Sequence, residues 1–277
     1  MIIKKSLITL YKFLSSIYVF IFGRKTGQVI NDLIFSLSID AKGYKNYGSH
    51  SKTGEKNFIK LIKEDISFAL DIGANVGNYT KLLLSETSCV VNSFEPLPEA
   101  FKELENIKFE YPNRLYVHNF AVGNENTTQN LYFGDIKSEK ASLMPNLEKL
   151  SFVKDGNNKN INVKVKKLDD CENLFKDNRI DFIKIDTEGY EYEVLLGAKN
   201  ILMKHKPKFI QMEFNWHQLL KNQTLYNLSK FMNFSEVFRI LPYGKKLIQI
   251  DPSRPENNIY HLSNYVFIRK DISKKFK

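Results

Sequence analysis

The chain has 277 residues, 43% of them hydrophobic, and a formal net charge of +10. That is enough for one large domain, or one domain plus an N-terminal extension, around a sizeable core. Two cysteines, Cys89 and Cys171, exclude a disulfide framework and a cysteine metal site, and they fit a reducing, cytoplasmic compartment.

The charge is uneven. Residues 1–60 hold ten Lys or Arg and three acids, a local net of +7, so the rest of the chain is close to neutral. A near-neutral catalytic region argues against nucleic acid as a partner. A basic arm suits an anionic surface. Residues 6–23, SLITLYKFLSSIYVFIFG, are strongly apolar between Lys4-Lys5 and Arg24-Lys25. Lys12 interrupts the run and no small-residue cleavage site follows, unlike a signal peptide. The run is also slightly short of the roughly 20 apolar residues of a spanning helix. Three readings stay open: a helix packed on the domain, a helix lying on a membrane with basic anchors, and a span. The partner expectation is peripheral membrane contact through residues 1–25, at the inner face. Residues 40–56, rich in Gly, Lys, Tyr, Asn and Ser, read as a linker or substrate-covering segment. The domain boundary is therefore drawn between residues 57 and 58, with an extension over 1–57 and a catalytic domain over 58–277.

Ser67–Tyr79, SFALDIGANVGNY, reads as a buried strand, a tight glycine turn and a helix start. Gly73 can take backbone angles closed to other residues, and Gly77 lets helix and strand pack closely. The helix start offers free N–H groups beside the carboxylate of Asp71. The Gly73-x-x-x-Gly77 spacing lacks the third glycine of a dinucleotide fingerprint, and Asp71 would repel a phosphate but hold an amino group.

Cys89–Phe94 is the second strand and ends at Glu95-Pro96. An acid there, about 20 residues beyond the glycine turn, can accept both ribose hydroxyls of an adenosine. Pro98–Tyr111 is an amphipathic helix, and Leu115–Val122 is the third strand. Asn119 and Ala121 lie at its end, where an adenine ring would rest. Gln129–Phe133 and Asn162–Lys167 alternate like exposed strands. Between them Ser138–Asn160 is a polar loop that could cover the site. Ile180–Ile185 is the fourth strand, followed by Asp186-Thr187-Glu188-Gly189-Tyr190-Glu191 and a helix over Tyr192–Lys206. Phe209–Phe214 is the fifth strand and carries Glu213 near its end. Leu219–Phe231 is helical in pattern with a polar break at Asn222-Gln223-Thr224. Glu236–Leu241 and Asn264–Arg269 are the last strands. Alternating strands and helices predict a mostly parallel sheet with helices on both faces and an antiparallel last strand.

With these pieces placed, the chain resembles the FkbM family of S-adenosylmethionine-dependent methyltransferases over roughly Phe58–Arg269. The most specific piece is Ile180–Ala198, IDFIKIDTEGYEYEVLLGA, and Leu168-Asp169-Asp170 agrees with it. One departure is Thr187, where the family has a small aliphatic residue. The resemblance implies a class I methyltransferase fold of seven strands and a Rossmann-like topology. It implies S-adenosyl-L-methionine as donor and a hydroxyl acceptor on a sugar or small metabolite, and the basic, apolar N-terminus extends that expectation to a glycolipid. Carried over by position, Asp71, Gly73, Asn75, Gly77 and Glu95 would hold the donor. Methyl transfer to an alcohol needs an acceptor for the hydroxyl proton. Asp186, at the carboxyl end of the fourth strand, is the first candidate, with Glu188, Glu213 and Lys184 around it. His217 is a weaker candidate base. The same three carboxylates, Asp186, Glu188 and Glu213, are the alternative ligands of a divalent metal, which no His or Cys set supports. Two other readings remain: a nicotinamide-dependent oxidoreductase, and a non-catalytic membrane-tethered scaffold.

Overall fold

The computed structural model describes residues 2–134, 141–145, 158–175, 178–244 and 246–277. Helices α1 (Ile2–Phe22) and α2 (Gln28–Ala41) form a hairpin, and the short α3 (His50–Thr53) and α4 (Glu55–Ile62) lead into the sheet. Strand β1 (Phe68–Ile72), helix α5 (Asn78–Glu86), strand β2 (Val90–Phe94), helix α6 (Pro98–Glu110) and strand β3 (Leu115–His118) then alternate. The chain steps out of this layer for β4 (Ala121–Val122), β5 (Thr127–Phe133) and β6 (Lys159–Lys166). It returns with β7 (Phe182–Ile185), α7 (Glu191–Gly197), α8 (Lys199–His205), β8 (Phe209–Phe214), α9 (Trp216–Leu220) and α10 (Leu225–Ser229). It closes with β9 (Ser235–Ile240), β10 (Leu247–Ile250) and β11 (Ser263–Arg269).

The main sheet runs β10-β9-β11-β8-β7-β1-β2-β3. Neighbours from β8 through β7 and β1 to β3 pair in parallel, and β11 lies antiparallel between β8 and β9. This is the expected α/β sheet with one correction: it has eight strands, not seven. The extra strand, β10, folds back on β9 after the Pro242-Tyr243-Gly244 turn, pairing Leu247 with Ile240. Every residue of β1 is buried, and apolar clusters cover both faces of the sheet, as a parallel sheet between helices requires.

Other departures from the sequence reading have local causes. The third strand stops at His118 because Asn119 turns to donate its side-chain amide to the carbonyls of Glu95 and Pro96. The two alternating segments pair with each other, Gln129 opposite Val163, in a separate sheet ordered β4-β6-β5. The single helix expected over Tyr192–Lys206 is broken at Ala198 into α7 and α8. There Gly197 lies so close to Gly123 that an added Cβ would sit 1.8 Å from the Gly123 carbonyl oxygen. Most of the polar loop 138–160 lies outside the described residues. Within it, Ser142 pairs with Tyr132 through a β-bridge.

Packing also ties the segment after α2 to the body of the sheet. Tyr44 is fully buried and donates its hydroxyl to the Glu256 carbonyl, while the Asn46 amide donates to the Leu262 carbonyl. The segment that carries Tyr44 and Asn46 is thus packed against the loop before β11. Among the described residues, no helix is long and apolar enough to cross a membrane.

Candidate functional site

The carboxyl ends of β1, β2, β7 and β8 open on a cleft of about 1110 Å³. Its position follows the general rule for open α/β sheets, in which ligands sit beyond the carboxyl edge where the strand order reverses. Here the order reverses between β1 and β7.

The turn after β1 is shaped by backbone that side chains would obstruct. Gly73 has φ +82°, and a Cβ there would lie 1.8 Å from the Asp186 carbonyl oxygen. Asn75 adopts φ 48°, and Gly77 has φ +84°. A Cβ on Gly77 would meet Ile107 and Leu104, so its close partner is α6 rather than the strand. Asp71 lies beneath the turn, 1% exposed, and accepts from the Thr80 hydroxyl at 2.6 Å. Burial pushes its pKa up to about 6.

Glu95 is held from both sides. Oε2 accepts from the Asn75 amide and Oε1 from the Leu97 amide, each at 2.8 Å. Each oxygen keeps a second lone pair for a ligand hydroxyl. Burial raises the Glu95 pKa to about 7, against the opposing effect of those two amides. Ala121 and Val122 line the cleft beside it. Asn119, expected at the donor site, instead binds the Glu95–Pro96 backbone and so shapes the loop that carries Glu95.

At the other end, Ser93, Asp71, Lys184 and Gln211 are register partners on four adjacent strands. Partners in register point to one face of a sheet, so these side chains make a polar row beneath the cleft. Lys184 is buried and donates to Asp186 Oδ2 at 2.7 Å. Burial opposes its charge, but Asp186, Glu55 and Glu213 more than offset that and raise its pKa. One oxygen from each of Asp186, Glu188 and Glu213 lies within 4.8 Å of the others. Burial, then mutual repulsion with Glu213 and Asp186, holds Glu188 well above the ordinary carboxylate range. Burial and Asp186 do the same to Glu213, which accepts from Asn215 Nδ2 at 2.7 Å. Glu188 itself has φ 50°, and the turn it occupies is tied down by Glu191, which accepts from the Thr187 and Gly189 amides. Thr187 adds its hydroxyl to the same carboxylate, which accounts for a polar residue where an aliphatic one was expected.

A third wall comes partly from the segment over residues 40–56, read from the sequence as a linker or a substrate-covering segment. Tyr47, His50 and Glu55 line the cleft from that segment, and Trp216 and Asn264, which the sequence did not single out, line it from α9 and β11. Glu55 is buried and accepts from Thr53, from Gln211 and from His50, whose Nδ1 lies at 2.9 Å. Burial works against its charge, but the His50 contact and Lys184 lower its pKa overall. His217 stays neutral: burial brings its pKa down to about 4, and its Nδ1 donates to Asn215 Oδ1. That makes it a poor base.

The sequence model of the FkbM methyltransferase domain matches residues 71–247. An FkbM methyltransferase from Methylobacillus flagellatus is similar at 18% identity and TM-score 0.46, over 73% of this chain and 44% of that one. The chain therefore spans less than half the length of that protein. An rRNA methylase from Streptococcus thermophilus is similar at 9% identity and TM-score 0.41, over 78% of this chain and 93% of that one. The tRNA (uracil-54, C5)-methyltransferase of Pyrococcus abyssi, solved with S-adenosyl-L-homocysteine, is similar at 11% identity and TM-score 0.37, over 80% of this chain and 39% of that one. No curated protein matches the chain by sequence. Because the domain match spans most of the chain, from Asp71 through Glu95, Asp186 and Glu213, the chain belongs to the FkbM family of S-adenosylmethionine-dependent methyltransferases.

Proposed function

We propose that the chain transfers a methyl group from S-adenosylmethionine to a hydroxyl of an uncharged, hydroxyl-rich acceptor, such as a sugar of a glycan or glycolipid. The observation that carries this reading is the carboxyl-rich lining of the cleft. Glu55, Asp71, Glu95, Asp186, Glu188 and Glu213 line it against Lys81 and Lys184. Such a wall favours a cationic donor and a neutral acceptor over the pyrophosphate of a dinucleotide, which weighs against a dehydrogenase. The residues present fit the donor. Glu95 offers lone pairs to a ribose, and Asp71 lies beneath a glycine turn held close against the Asp186 carbonyl.

When bound, the donor supplies an electrophilic methyl group on a sulfonium. The work left to the protein is to align an acceptor oxygen with it and to take the proton. Asp186, oriented by the Lys184 ammonium at 2.7 Å, suits an anchor that accepts a hydrogen bond from the acceptor hydroxyl. Glu188 and Glu213, held above the ordinary carboxylate range, are better matched to keep the proton once the O–H bond breaks. Trp216, beside His217, offers an aromatic wall of the kind on which sugar rings lie.

The test is methyl transfer from labelled S-adenosylmethionine to neutral and carboxylated sugars, with magnesium and chelator arms. The expected outcome is an O-methyl product from the neutral sugars and a loss of roughly a hundredfold in Asp186→Asn. Transfer only to carboxylated acceptors, or saturable NADH binding in place of the methyl donor, would contradict it.

A further inference from the structure

Outside the cleft, the α1–α2 hairpin presents an extended exposed apolar surface among the described residues. In α1, Leu10, Tyr11, Phe13, Leu14, Val19 and Phe20 are all exposed, Phe20 at 73%. At 100° per residue these side chains occupy well over half of the helix circumference, leaving a narrow polar strip of Thr9, Lys12 and Ser16. In α2, Val29, Ile30, Leu33, Ile34 and Leu37 form a second exposed apolar face, while Ile39 is buried. The two helices are clasped by Asn31, which accepts from the Tyr18 hydroxyl at 2.6 Å and donates to the Phe22 carbonyl at 3.0 Å. This exposure is therefore a property of a built hairpin. Contiguous apolar surface on this scale marks an interaction site.

We infer that the hairpin lies in the plane of an anionic lipid surface. Three observations choose this occupant. Residues 1–42 carry Lys4, Lys5, Lys12, Arg24, Lys25 and Lys42 against Asp32 and Asp40, a net of +4. A second copy docking hairpin to hairpin would bring these like charges together, whereas anionic headgroups neutralise them. Next, the exposed apolar groups include Tyr11, Phe13, Tyr18 and Phe20, and aromatic rings with polar edges collect at the headgroup–acyl boundary. Finally, α1 is not long and apolar enough to cross a bilayer, so burying it means lying along the surface. Arg24, stacked over Phe20 at 5.7 Å, pairs a ring with a charge as an interfacial anchor does. The hairpin ends at Ala41, and Asn46 and Tyr47 already line the cleft, so docking would bring the cleft wall to the lipid.

The experiment is flotation of the full chain with vesicles of phosphatidylcholine alone and of a phosphatidylcholine–phosphatidylglycerol mixture. Partition into the mixture should be at least ~10-fold stronger and should fall with salt. Phe13→Glu with Leu33→Glu should lower partition at least ~10-fold, with S-adenosylhomocysteine binding unchanged as the check on folding. Arg24→Glu with Lys25→Glu should remove the preference for the anionic mixture. The inference is overturned if the wild-type chain floats with neither vesicle. It is also overturned if the Phe13→Glu, Leu33→Glu pair floats like wild type, or if the hairpin is covered by a stable dimer in solution that this pair separates.

Discussion

Gln211 and Glu55 are 156 residues apart in the chain and joined by a 2.6 Å hydrogen bond in the interior. Gln211 also accepts from the Tyr79 hydroxyl, and its Nε2 lies 3.2 Å from Asn264 Oδ1. Through this one amide, the segment before β1 is fastened to α5, β8 and β11 on the floor of the cleft. A buried acceptor serving three donors cannot be removed without leaving those donors unsatisfied. Glu55→Ala should therefore cost about 3 kcal/mol, read as a lowered urea midpoint at neutral pH. Because folding lowers the Glu55 pKa, its contribution is present above the ordinary carboxylate range and is lost as pH falls through it. The gap between wild type and variant should narrow in acid.

Glu213 should behave in the opposite sense. Folding raises its pKa, so ionising it costs stability as pH rises above its unfolded value. Glu213→Gln removes that cost. The variant should melt higher than wild type, by a margin that grows between acid and alkaline pH, while methyl transfer falls. A variant less stable than wild type at alkaline pH would show that Glu213 is held by favourable contacts absent from this account.

Donor binding should depend on pH through Glu95. Its ionised form is the stronger acceptor for two ribose hydroxyls, and its pKa is near 7. Affinity for S-adenosylhomocysteine should weaken about tenfold between pH 8 and pH 6, with Asp71 extending the fall near its own value of about 6. In Glu95→Gln the affinity should be lower and the slope between pH 8 and pH 7 nearly flat.

Gly73 tests the turn itself. Gly73→Ala puts a methyl group against the Asp186 carbonyl and asks alanine to hold φ +82°. The cost should be about 3 kcal/mol or more. It should fall on donor binding and on stability together, because the turn joins β1 to the residue after β7. Calorimetry and denaturant titration of the same preparation would show both.

How legible all this was in the sequence depends on distance along the chain. Asp71, Glu95 and Asp186 could be found because each stands where an apolar run ends, so its place at the sheet edge is a local property. The FkbM pattern around Ile180–Ala198 added the family. The eighth strand, Leu247–Ile250, is four residues long and gains its identity only by pairing with β9. The break at Ala198 carries no proline, because it is caused by Gly123 approaching from another element. Tyr47, His50 and Glu55 sit in a polar stretch with no periodicity, which left linker and substrate cover undecided until the bond to Gln211 fastened it beside the cleft. Asn119 was placed by the end of its strand, but its amide had nearer partners in the Glu95 loop.

The central claim is that this cleft holds a methyl donor between Glu95 and Asp186. Calorimetric titration of the protein with S-adenosylhomocysteine, beside Asp71→Ala and Glu95→Ala, tests it most directly. The account predicts one site of roughly micromolar affinity, weakened at least tenfold in Glu95→Ala, a loss of about 1.4 kcal/mol. No heat with S-adenosylhomocysteine and saturable binding of NADH would contradict it.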